Sequence, residues 1–324
     1  MRAIVIDRTG GPEVLRIADV AKPEPGPGEV LIRVVCAGVN PADWKCREGY
    51  LGGFIQYSFP FIIGFDLAGT VEASGDGAEG FTKGMRVFAQ SDVGAGKWGS
   101  YAEYVCVRQD SVVRIPEHLG FAEAAAVPTP ALAAWTALFD DGGLQAGQKV
   151  LVHGGAGAVG TFAVQFARQA GAEVAATCSA RNTDYVRALG CARAIDYRSQ
   201  DVRAVVQDWA PEGVDIVLDA VGCNSLPAGL DMLRPGGILV AILTLVAGDS
   251  GPDHALAATR GLRTAVAFSK MPSGARLGKI AALLENGKVK PPPIEVLPLE
   301  HVAHAHERLQ QGTAKSKLVL QVSS

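Results

Sequence analysis

Short apolar runs separated by turn-forming residues make up the first 120 residues. The runs are rich in β-branched residues, and clusters of Gly, Pro and Asp divide them, which is typical of strands joined by tight turns. The segment PEPGPGEV, residues 23–30, is one such turn-rich entry into a strand. The pattern predicts a compact antiparallel or barrel-like domain with strands over Arg2–Ile6, Val30–Ala37, Gly69–Ala73, Arg86–Ala89, Glu103–Cys106 and Val112–Ile115.

The pattern changes near Gly120. Residues 121–140 predict two short helical pieces divided by Pro128 and Pro130. Beyond them, apolar runs without polar alternation are separated by segments of helical length, which is typical of parallel strands buried on both faces. These runs predict strands over Lys149–His153, Glu173–Thr177, Ala192–Asp196, Val214–Ala220, Gly237–Leu243 and Leu262–Phe268.

The segments between these strands predict crossover helices over Thr161–Ala170, Asn182–Leu189 and Asn224–Leu233, and a glycine directly follows each of the first two. Six strands with intervening crossovers are typical of the dinucleotide-binding fold. The predicted fold class is therefore α/β, with a doubly wound parallel six-strand Rossmann domain beside a β-rich domain.

The last part of the chain predicts a helix over Ala275–Asn286 and a closing strand over Lys317–Gln321. A strand isolated from the α/β run most simply returns to the first domain. We therefore expect one domain formed by residues 1–122 and 269–324, with the Rossmann domain, residues 123–268, inserted between them. The chemistry is expected in the cleft between the two domains.

A glycine-rich turn is the strongest motif of the chain. It follows the strand that ends at His153, and its residues Gly155, Ala156, Gly157, Ala158, Val159 and Gly160 fit the pattern G-x-G-x-x-G. The three glycines would allow the tight turn, the approach of backbone amides to a pyrophosphate and close packing of the next helix on the strand. The helix N-terminus would stabilise phosphate charge.

The end of the second α/β strand bears on the choice between NAD and NADP. An NAD site usually carries an acidic residue there for the ribose 2′-hydroxyl. This chain has Thr177, Cys178 and Ser179, followed by Arg181. Hydroxyl and guanidinium groups can bind a 2′-phosphate, so these residues favour NADPH. The alternative interpretation is that Arg181 caps an ordinary loop.

Composition and charge exclude several classes of protein. The 324 residues are 48% hydrophobic and 19% charged, with a net charge of −3, which argues against disorder and against binding to nucleic acid or an anionic membrane. Asp7 interrupts the apolar start that a signal peptide would need, and we expect a cytoplasmic protein. The six cysteines form no CxxC pair, and we interpret them as reduced, buried thiols. His301, His304 and His306 lie on a predicted amphipathic helix, and Glu307 and Arg308 make the face shared by His301 and His304 look solvated, which argues against a metal site there.

Four motifs together resemble the medium-chain dehydrogenase/reductases. They are AGVNPAD at residues 37–43, GFDLAGT at 64–70, GSYAEYV at 99–105 and VHGGAGAVG at 152–160. The resemblance runs the whole length of the chain and is strongest to the zinc-independent quinone oxidoreductases, the group that includes zeta-crystallin. It implies that the β-rich domain is a GroES-like catalytic domain and that the protein is a homodimer.

The resemblance also implies chemistry without a metal. In the alcohol dehydrogenase branch, a Cys in the first motif and Gly-His-Glu in the second supply ligands to catalytic zinc. This chain has Asn40 and Gly64-Phe65-Asp66 at those places, and the four-cysteine structural zinc lobe is missing. Thiolate and imidazole ligands are therefore absent from both motifs.

The same resemblance implies roles for individual residues. Tyr50 matches the tyrosine that contacts the cofactor from the catalytic domain, and Asn40 and Asp43 match positions that line the substrate cleft. Lys45 and Ala133 depart from the family pattern, which more often has Tyr and Thr there. The positions matched to the cofactor are Ala156 to Val159 at the pyrophosphate, Ser179 and Tyr197 near the 2′-phosphate, and Ile242, Leu243, Thr244 and Leu245 beside the nicotinamide.

A quinone or conjugated enone is already electrophilic, so its reduction needs correct placement of the hydride donor and a hydrogen-bond donor for the developing oxyanion. We expect Asn40 to be that donor, with Tyr50 either a second donor or packed on the cofactor. Asp43 is expected to hold its loop, because Asp commonly organises turns. The expected function is NADPH-dependent, zinc-free reduction of a quinone or α,β-unsaturated carbonyl; the alternatives are an enoyl-thioester reductase and a non-catalytic NADPH-binding sensor.

Overall fold

The computed structural model describes residues 1–222, 225–226, 229–242, 244 and 251–323. The chain divides into two compact units. The first comprises Met1–Pro130, Met271–Gly287 and Pro291–Ser324, and the second comprises Ala131–Lys270 and Lys288–Lys290. The domain boundaries expected from the sequence, after residues 122 and 268, stay a prediction of where the functional domains meet.

Strands and helices alternate differently in the two units. The strands are β1 (Arg2–Ile6), β2 (Arg16–Asp19), β3 (Glu29–Gly38), β4 (Phe61–Ile62), β5 (Asp66–Ser74), β6 (Arg86–Gln90), β7 (Tyr104–Arg108), β8 (Val112–Arg114), β9 (Lys149–His153), β10 (Glu173–Cys178), β11 (Arg193–Asp196), β12 (Val214–Asp219), β13 (Leu233–Ile242), β14 (Arg263–Ala267), β15 (Ile294–Pro298) and β16 (Lys317–Gln321). The helices are α1 (Pro41–Glu48), α2 (Phe121–Ala125), α3 (Pro128–Trp135), α4 (Ala158–Gln169), α5 (Thr183–Ala188), α6 (Val202–Trp209), α7 (His254–Thr259), α8 (Gly274–Glu285) and α9 (Val302–Gln310).

The first unit is built on strand-rich sheets, as the sequence predicts. One sheet has the order β15-β16-β3-β5-β6-β8, with β7 also paired to β3, and a smaller sheet has the order β2-β1-β4. Every strand expected in residues 1–120 is present, and so is the closing strand β16. The sequence does not predict β2, β4 or β15, which are short or carry exposed positions.

The central strand β3 positions the residues discussed below. Val30, Ile32 and Val34 lie on one face of the strand and are fully buried, while on the other face Leu31 is buried and Arg33 is exposed. Its last residue, Gly38, lies opposite Val319 of the antiparallel strand β16, and the backbone N–H of Val39 donates to the carbonyl of Leu318 at 2.9 Å. The N-terminus of α1 and the start of β16 are therefore brought side by side.

The second unit confirms the predicted parallel sheet. Its strand order within the described residues is β11-β10-β9-β12-β13-β14, and all neighbouring strands run parallel. The chain passes outward from β9 to β10 and β11 and then returns to the other side of β9 with β12. Ligands bind beyond the carboxyl ends of the strands at such a point of reversal.

The crossover helices agree with the predicted ones only in part. Helices α4 and α5 lie where the sequence predicts them, but α6 is a helix that the apolar pattern did not indicate. The helix predicted over Asn224–Leu233 is wrong in its described part, where a single 3₁₀ turn covers Gly229–Met232. Residues 223–224 and 227–228 of this connection lie outside the described residues.

Four of the five cysteines that the structure describes are buried, as the sequence predicts, and Cys223 lies outside the described residues. Cys36, Cys46, Cys178 and Cys191 are buried free thiols, and Cys106 is half-buried. His301 and His304 are exposed on the surface. His306, by contrast, is fully buried. None of the helices in the described part of the chain has an apolar stretch that would reach across a bilayer.

His306 is buried because it completes a polar cluster around Arg47. The guanidinium of Arg47 is fully buried and donates to the carbonyl of Gly10 at 3.0 Å, to Gln310 Oε1 at 3.0 Å and to Glu48. A fourth contact joins Arg47 Nη1 to His306 Nδ1 at 3.2 Å. Because arginine can only donate, Nδ1 accepts, and the ring proton lies on Nε2, which is 3.2 Å from the hydroxyl of Tyr101. Burial chiefly, and the charge of Arg47, lower the pKa of His306 to about 3.

We predict that His306→Ala lowers the free energy of unfolding at pH 7.5 by about 1–3 kcal/mol, since a buried N–H of Arg47 loses its acceptor. The difference from wild type should shrink as the pH falls below 6.5, by about 1.4 kcal/mol per pH unit, because only the unfolded wild-type histidine then takes up a proton. Urea unfolding between pH 7.5 and pH 5 measures both effects.

The exposed His301→Ala is the matched control and should stay within about 0.5 kcal/mol of wild type. A difference for His306→Ala that grows as the pH falls would contradict a neutral buried imidazole.

Candidate functional site

The glycine-rich loop joins β9 to α4 in the second unit. The backbone N–H of Gly155 donates to the carbonyl of Thr177 at 2.8 Å, which ties the loop to the end of β10. The N–H of Gly157 donates to the carbonyl of Gly154 at 3.0 Å and closes the turn. The carbonyl of Gly157 then accepts the first helical hydrogen bond, from Thr161 at 2.8 Å. The unbonded N–H groups of the first turn of α4 point out of this end of the helix.

The three glycines of the motif differ in what surrounds them. A Cβ on Gly160 would lie 2.2 Å from the carbonyl oxygen of Gly154, and one on Gly155 would lie 2.7 Å from the Cβ of Ala176. Packing within the domain therefore requires glycine at both positions. A Cβ on Gly157 would meet only the oxygen of Gly154, at 3.4 Å, and its φ of −74° suits any residue. The open space at Gly157 is a cradle that a Cβ would fill, and a pyrophosphate fits such a space.

The buried side chain of His153 is hydrogen-bonded to residues next to the glycine-rich loop. His153 Nδ1 lies 2.7 Å from the hydroxyl of Thr177, and Nε2 lies 3.1 Å from the hydroxyl of Ser225. The backbone N–H of Gly154 donates to the same Thr177 hydroxyl at 3.0 Å. Burial lowers the pKa of His153, and the nearby carboxylate of Asp219 opposes that shift. The sequence signal for this residue is a polar side chain at the end of an otherwise apolar strand.

These contacts change the assignment of Thr177. The sequence places its hydroxyl near the 2′-phosphate, but the side chain is buried and its hydroxyl is bound to His153 and Gly154 inside the domain. Thr177 therefore shapes the loop, and the hydroxyl available for a phosphate at this strand end is that of Ser179.

Ser179 and Tyr197 follow neighbouring strands at the same edge of the sheet. The N–H of Tyr197 donates to the carbonyl of Cys178 at 3.2 Å, so the two strand ends lie side by side. Arg181 and Tyr197 are exposed there. The sequence reasoning missed Arg198, whose Nε lies 3.4 Å from the hydroxyl of Tyr197. Its signal was the dipeptide Tyr197-Arg198 at the end of β11.

An acidic residue also lies at this edge, but its oxygens are engaged by its own loop. The carboxylate of Asp196 accepts from the Ser199 hydroxyl at 2.6 Å and from the backbone N–H of Arg198 at 3.2 Å. The hydrogen bond from Ser199 is the main cause of the lowered pKa of Asp196. The Ser179 hydroxyl and the guanidinium groups of Arg181 and Arg198 are the other polar groups of this edge.

The structure describes two of the four residues that the resemblance places beside the nicotinamide. Ile242 is the last residue of β13 and pairs with Ala267 of β14. Thr244 is half-buried. Leu243 and Leu245 lie outside the described residues, so their assignment stays a prediction.

In the first unit, Asp43 holds the loop before α1. Its carboxylate accepts from the backbone N–H of Asn40 at 2.6 Å and from that of Phe65 at 3.0 Å, which joins the two sequence motifs. Burial chiefly raises the pKa of Asp43 to about 7, although both backbone donors oppose the shift. The geometry is that of a structural carboxylate, as the sequence interpretation expected, although its assignment to the substrate cleft stays a prediction.

The side chain of Asn40 lies in a buried polar cluster. Its Nδ2 donates to Asp66 Oδ2 at 2.8 Å, and its Oδ1 accepts from the Nζ of Lys317. The other oxygen of Asp66 accepts from the backbone N–H and the hydroxyl of Thr129, at 2.8 and 2.6 Å. Lys317 Nζ is also 3.7 Å from Asp66 Oδ2. Sequence reasoning missed Lys317 and Asp66 as partners, since they are far from Asn40 along the chain.

Tyr50 lies at the surface of the same unit. Its side chain is 41% exposed, and its ring meets that of Trp44 edge-on at 6.1 Å between centroids. The ammonium of Lys45 lies 5.5 Å from the Trp44 ring. The exposed ring of Tyr50 therefore lies beside a half-buried Trp44 and the half-buried, positively charged Lys45. Ala133, the other departure from the family pattern, is buried in the second unit.

Two family models match the chain. The model described as the alcohol dehydrogenase GroES-like domain matches residues 26–117, and the one described as zinc-binding dehydrogenase matches residues 189–320. The matches lie mainly in the first and second units respectively, although the second also extends to β16. The α/β sheet and the separate GroES-like domain expected from the sequence are confirmed.

Curated relatives and solved structures agree with these matches. The quinone oxidoreductase of Homo sapiens is 32% identical over 330 residues, covering 99% of this chain and 97% of the relative. The mitochondrial NAD(P)H oxidoreductase RTN4IP1 of Danio rerio is 32% identical over 357 residues, covering 99% and 91%. A solved NAD-dependent alcohol dehydrogenase has a TM-score of 0.89 at 32% identity, with 100% of both chains covered. The chain therefore belongs to the quinone oxidoreductase family of the medium-chain dehydrogenase/reductases, and it is an NAD(P)H-dependent oxidoreductase.

Proposed function

We propose that the protein transfers hydride from NADPH to a quinone or an α,β-unsaturated carbonyl without a zinc ion. The observation that carries the proposal is the polar cluster of Asn40, Asp66 and Lys317 at the end of β3. Asn40 and Asp66 stand in the two motifs where the alcohol dehydrogenase branch has zinc ligands. The charged groups of Asp66 and Lys317 hold the Asn40 amide, which is a hydrogen-bond donor, in place.

A zinc ion fits these residues poorly. Catalytic zinc takes thiolate, imidazole and carboxylate ligands, whereas this cluster offers an amide and a carboxylate that already has three hydrogen-bond donors. The ammonium of Lys317, 3.7 Å from the Asp66 carboxylate, would repel a divalent cation. The described residues hold no other group of three or more His, Cys, Asp and Glu side chains suited to a metal.

A dinucleotide fits the second unit. Residues Gly155 to Gly160 and the first turn of α4 would hold its pyrophosphate, since Gly157 leaves space that the fold does not need. Bound there, reduced nicotinamide supplies a hydride. The relatives' names leave NAD and NADP open, so the preference rests on this chain's own residues.

The edge formed by the ends of β10 and β11 favours NADPH. Ser179 supplies a hydroxyl at the end of β10, and Arg181, Tyr197 and Arg198 add two guanidinium groups and a phenol just beyond the ends of the same two strands. Arginine pairs well with phosphate because its planar fork of donors matches two phosphate oxygens. The one nearby acid, Asp196, is bound by Ser199 and by backbone. This set is complementary to a 2′-phosphate, which NADH lacks.

Asn40 is the proposed donor to the acceptor oxygen. One N–H of its amide is bound to Asp66, and the second is the candidate donor to the oxyanion that develops as the substrate is reduced. Quinones and enones are electrophilic carbon acceptors and need no metal to polarise them. The exposed ring of Tyr50 offers a flat apolar surface for a planar substrate.

We further propose that the protein is a cytoplasmic homodimer. Its buried free thiols suit a reducing compartment. Strands β11 and β14 are the edges of the parallel sheet within the described residues, and such an edge can pair with a second copy.

The proposal predicts that the purified protein consumes NADPH when a quinone or an enone is added, and the loss of nicotinamide absorbance measures this. Consumption with enoyl thioesters alone would favour the enoyl-thioester reductase. Tight NADPH binding without consumption by any acceptor would favour the sensor. Turnover that requires added zinc would contradict the proposal.

Gly157→Ala should weaken NADPH binding tenfold or more, about 1.4 kcal/mol, while leaving the melting temperature nearly unchanged. The reason is that the added Cβ has room in the fold but occupies the space of the pyrophosphate. Gly160→Ala is the contrasting variant and should lower the melting temperature, because its Cβ would overlap the backbone of Gly154. Calorimetric titration and thermal unfolding distinguish the two. Unchanged NADPH affinity in Gly157→Ala would show that the turn is merely structural.

Arg181→Gln and Arg198→Gln should each raise the KM for NADPH about tenfold, since a charged hydrogen bond to phosphate contributes about 1.5–3 kcal/mol. The KM for NADH should stay the same, because NADH carries no 2′-phosphate. Arg193→Gln, at the opposite end of β11, is the matched control and should change neither value. Equal changes for both coenzymes would contradict a 2′-phosphate site here.

A further inference from the structure

The amide of Asn40 is bound on both sides by charged groups. Lys317 donates to its oxygen, and Asp66 accepts from its nitrogen at 2.8 Å. All three side chains are buried. The contact between Lys317 and Asn40 spans 277 positions of sequence.

The topology places Lys317 opposite Asn40. Strands β16 and β3 are antiparallel, with Val319 opposite Gly38 and Leu320 opposite Ala37. The hydrogen bond from Val39 N–H to the carbonyl of Leu318 continues this ladder. One further step along each chain brings Lys317 across from Asn40, so the register of the sheet sets the contact.

The chemistry of the two partners allows only one orientation of the amide. An ammonium has donors and no acceptor, so it must face the amide oxygen. An ionised carboxylate has acceptors and no donor, so it must face the amide nitrogen. Burial raises the pKa of Asp66, whereas its contacts with Lys317, Thr129 and Asn40 oppose that shift. Burial lowers the pKa of Lys317, and the carboxylates of Asp66 and Asp43 oppose that shift.

We propose that Lys317 is a positioning residue for the reduction, acting through Asn40. It fixes which way the Asn40 amide faces, and its positive charge on the amide oxygen draws electron density from the amide nitrogen. The second N–H of Asn40 then points in one direction and donates more strongly to a developing oxyanion. This inference rests on the proposed function, in which Asn40 is that donor.

If Lys317 had only a structural role, the stability and activity of its variants would differ from those expected here. If Lys317 only neutralised Asp66 in the core, its loss would lower stability and affect activity regardless of the residue at position 40. If it acts through Asn40, its loss should have no additional effect on kcat once the amide is absent. A double-mutant cycle separates these two cases.

The cycle compares Lys317→Met, Asn40→Ala and the double variant, assayed at temperatures where each is folded. We expect Lys317→Met to lower kcat roughly tenfold to a hundredfold with little change in the KM for NADPH. In the Asn40→Ala background it should lower kcat by less than about twofold. Lys317→Gln restores a donor without the charge, and its kcat should lie between those of Lys317→Met and wild type.

Lys315→Met is the matched control, because Lys315 is exposed two residues earlier on the same segment. It should behave as wild type in every assay. Equal losses from Lys317→Met in the wild-type and Asn40→Ala backgrounds would overturn the proposal, and so would a loss confined to the KM for NADPH.

A second readout does not depend on turnover. The chain has four asparagines, at positions 40, 182, 224 and 286, so ¹⁵N-amide asparagine labelling gives four side-chain NH₂ pairs, and Asn40→Ala identifies one of them. We expect the Asn40 pair to exchange slowly with solvent, and Lys317→Met to shift it and speed its exchange while the other pairs stay unchanged. An unaltered Asn40 pair would overturn the positioning role. Failure of the proposed function would appear instead as wild-type protein that reduces no acceptor while the Asn40 pair still responds to Lys317→Met.

Discussion

The arrangement of the first unit depends on a buried ammonium between carboxylates. Removing charges from water costs several kcal/mol per ion, and the cost is offset only where the remaining donors and acceptors are satisfied. Asp66 meets this condition through Thr129, Asn40 and Lys317, and Asp43 through two backbone N–H groups. The same hydrogen bonds join the loop before α1, the loop before β5, the start of α3 and the start of β16. The amide of Asn40 is thus fixed by the same hydrogen bonds that connect these four segments.

The second unit fixes its own candidate site by backbone packing. Packing requires Gly155 and Gly160, whereas Gly157 leaves the open space that we assign to the pyrophosphate in the proposed function. His153 adds a side-chain tie between the ends of β9 and β10 and Ser225. These contacts hold the glycine-rich loop in one conformation before any ligand binds. Less conformational entropy is therefore lost when a ligand binds.

The features that the sequence predicts are local ones. The parallel strands were predictable because residues such as Val150–Val152 are apolar without alternation, and the glycine-rich turn was predictable because its geometry needs only adjacent residues. Strand β2 was not, since its charged, exposed positions resemble a loop. The roles of Lys317 and His306 depend on residues 277 and 259 positions away, which no local pattern contains. Thr177 shows the same limit, because its hydroxyl is occupied by a histidine from the neighbouring strand.

In the proposed reaction, the ammonium of Lys317 supplies positive charge where the alcohol dehydrogenase branch uses a metal ion. Metal analysis of the purified enzyme, combined with rates of NADPH-dependent quinone reduction before and after dialysis against a strong chelator, tests this claim most directly. The account predicts no stoichiometric zinc and equal rates in both samples. Stoichiometric zinc, with a rate that is lost on chelation and restored by adding zinc back, would contradict it.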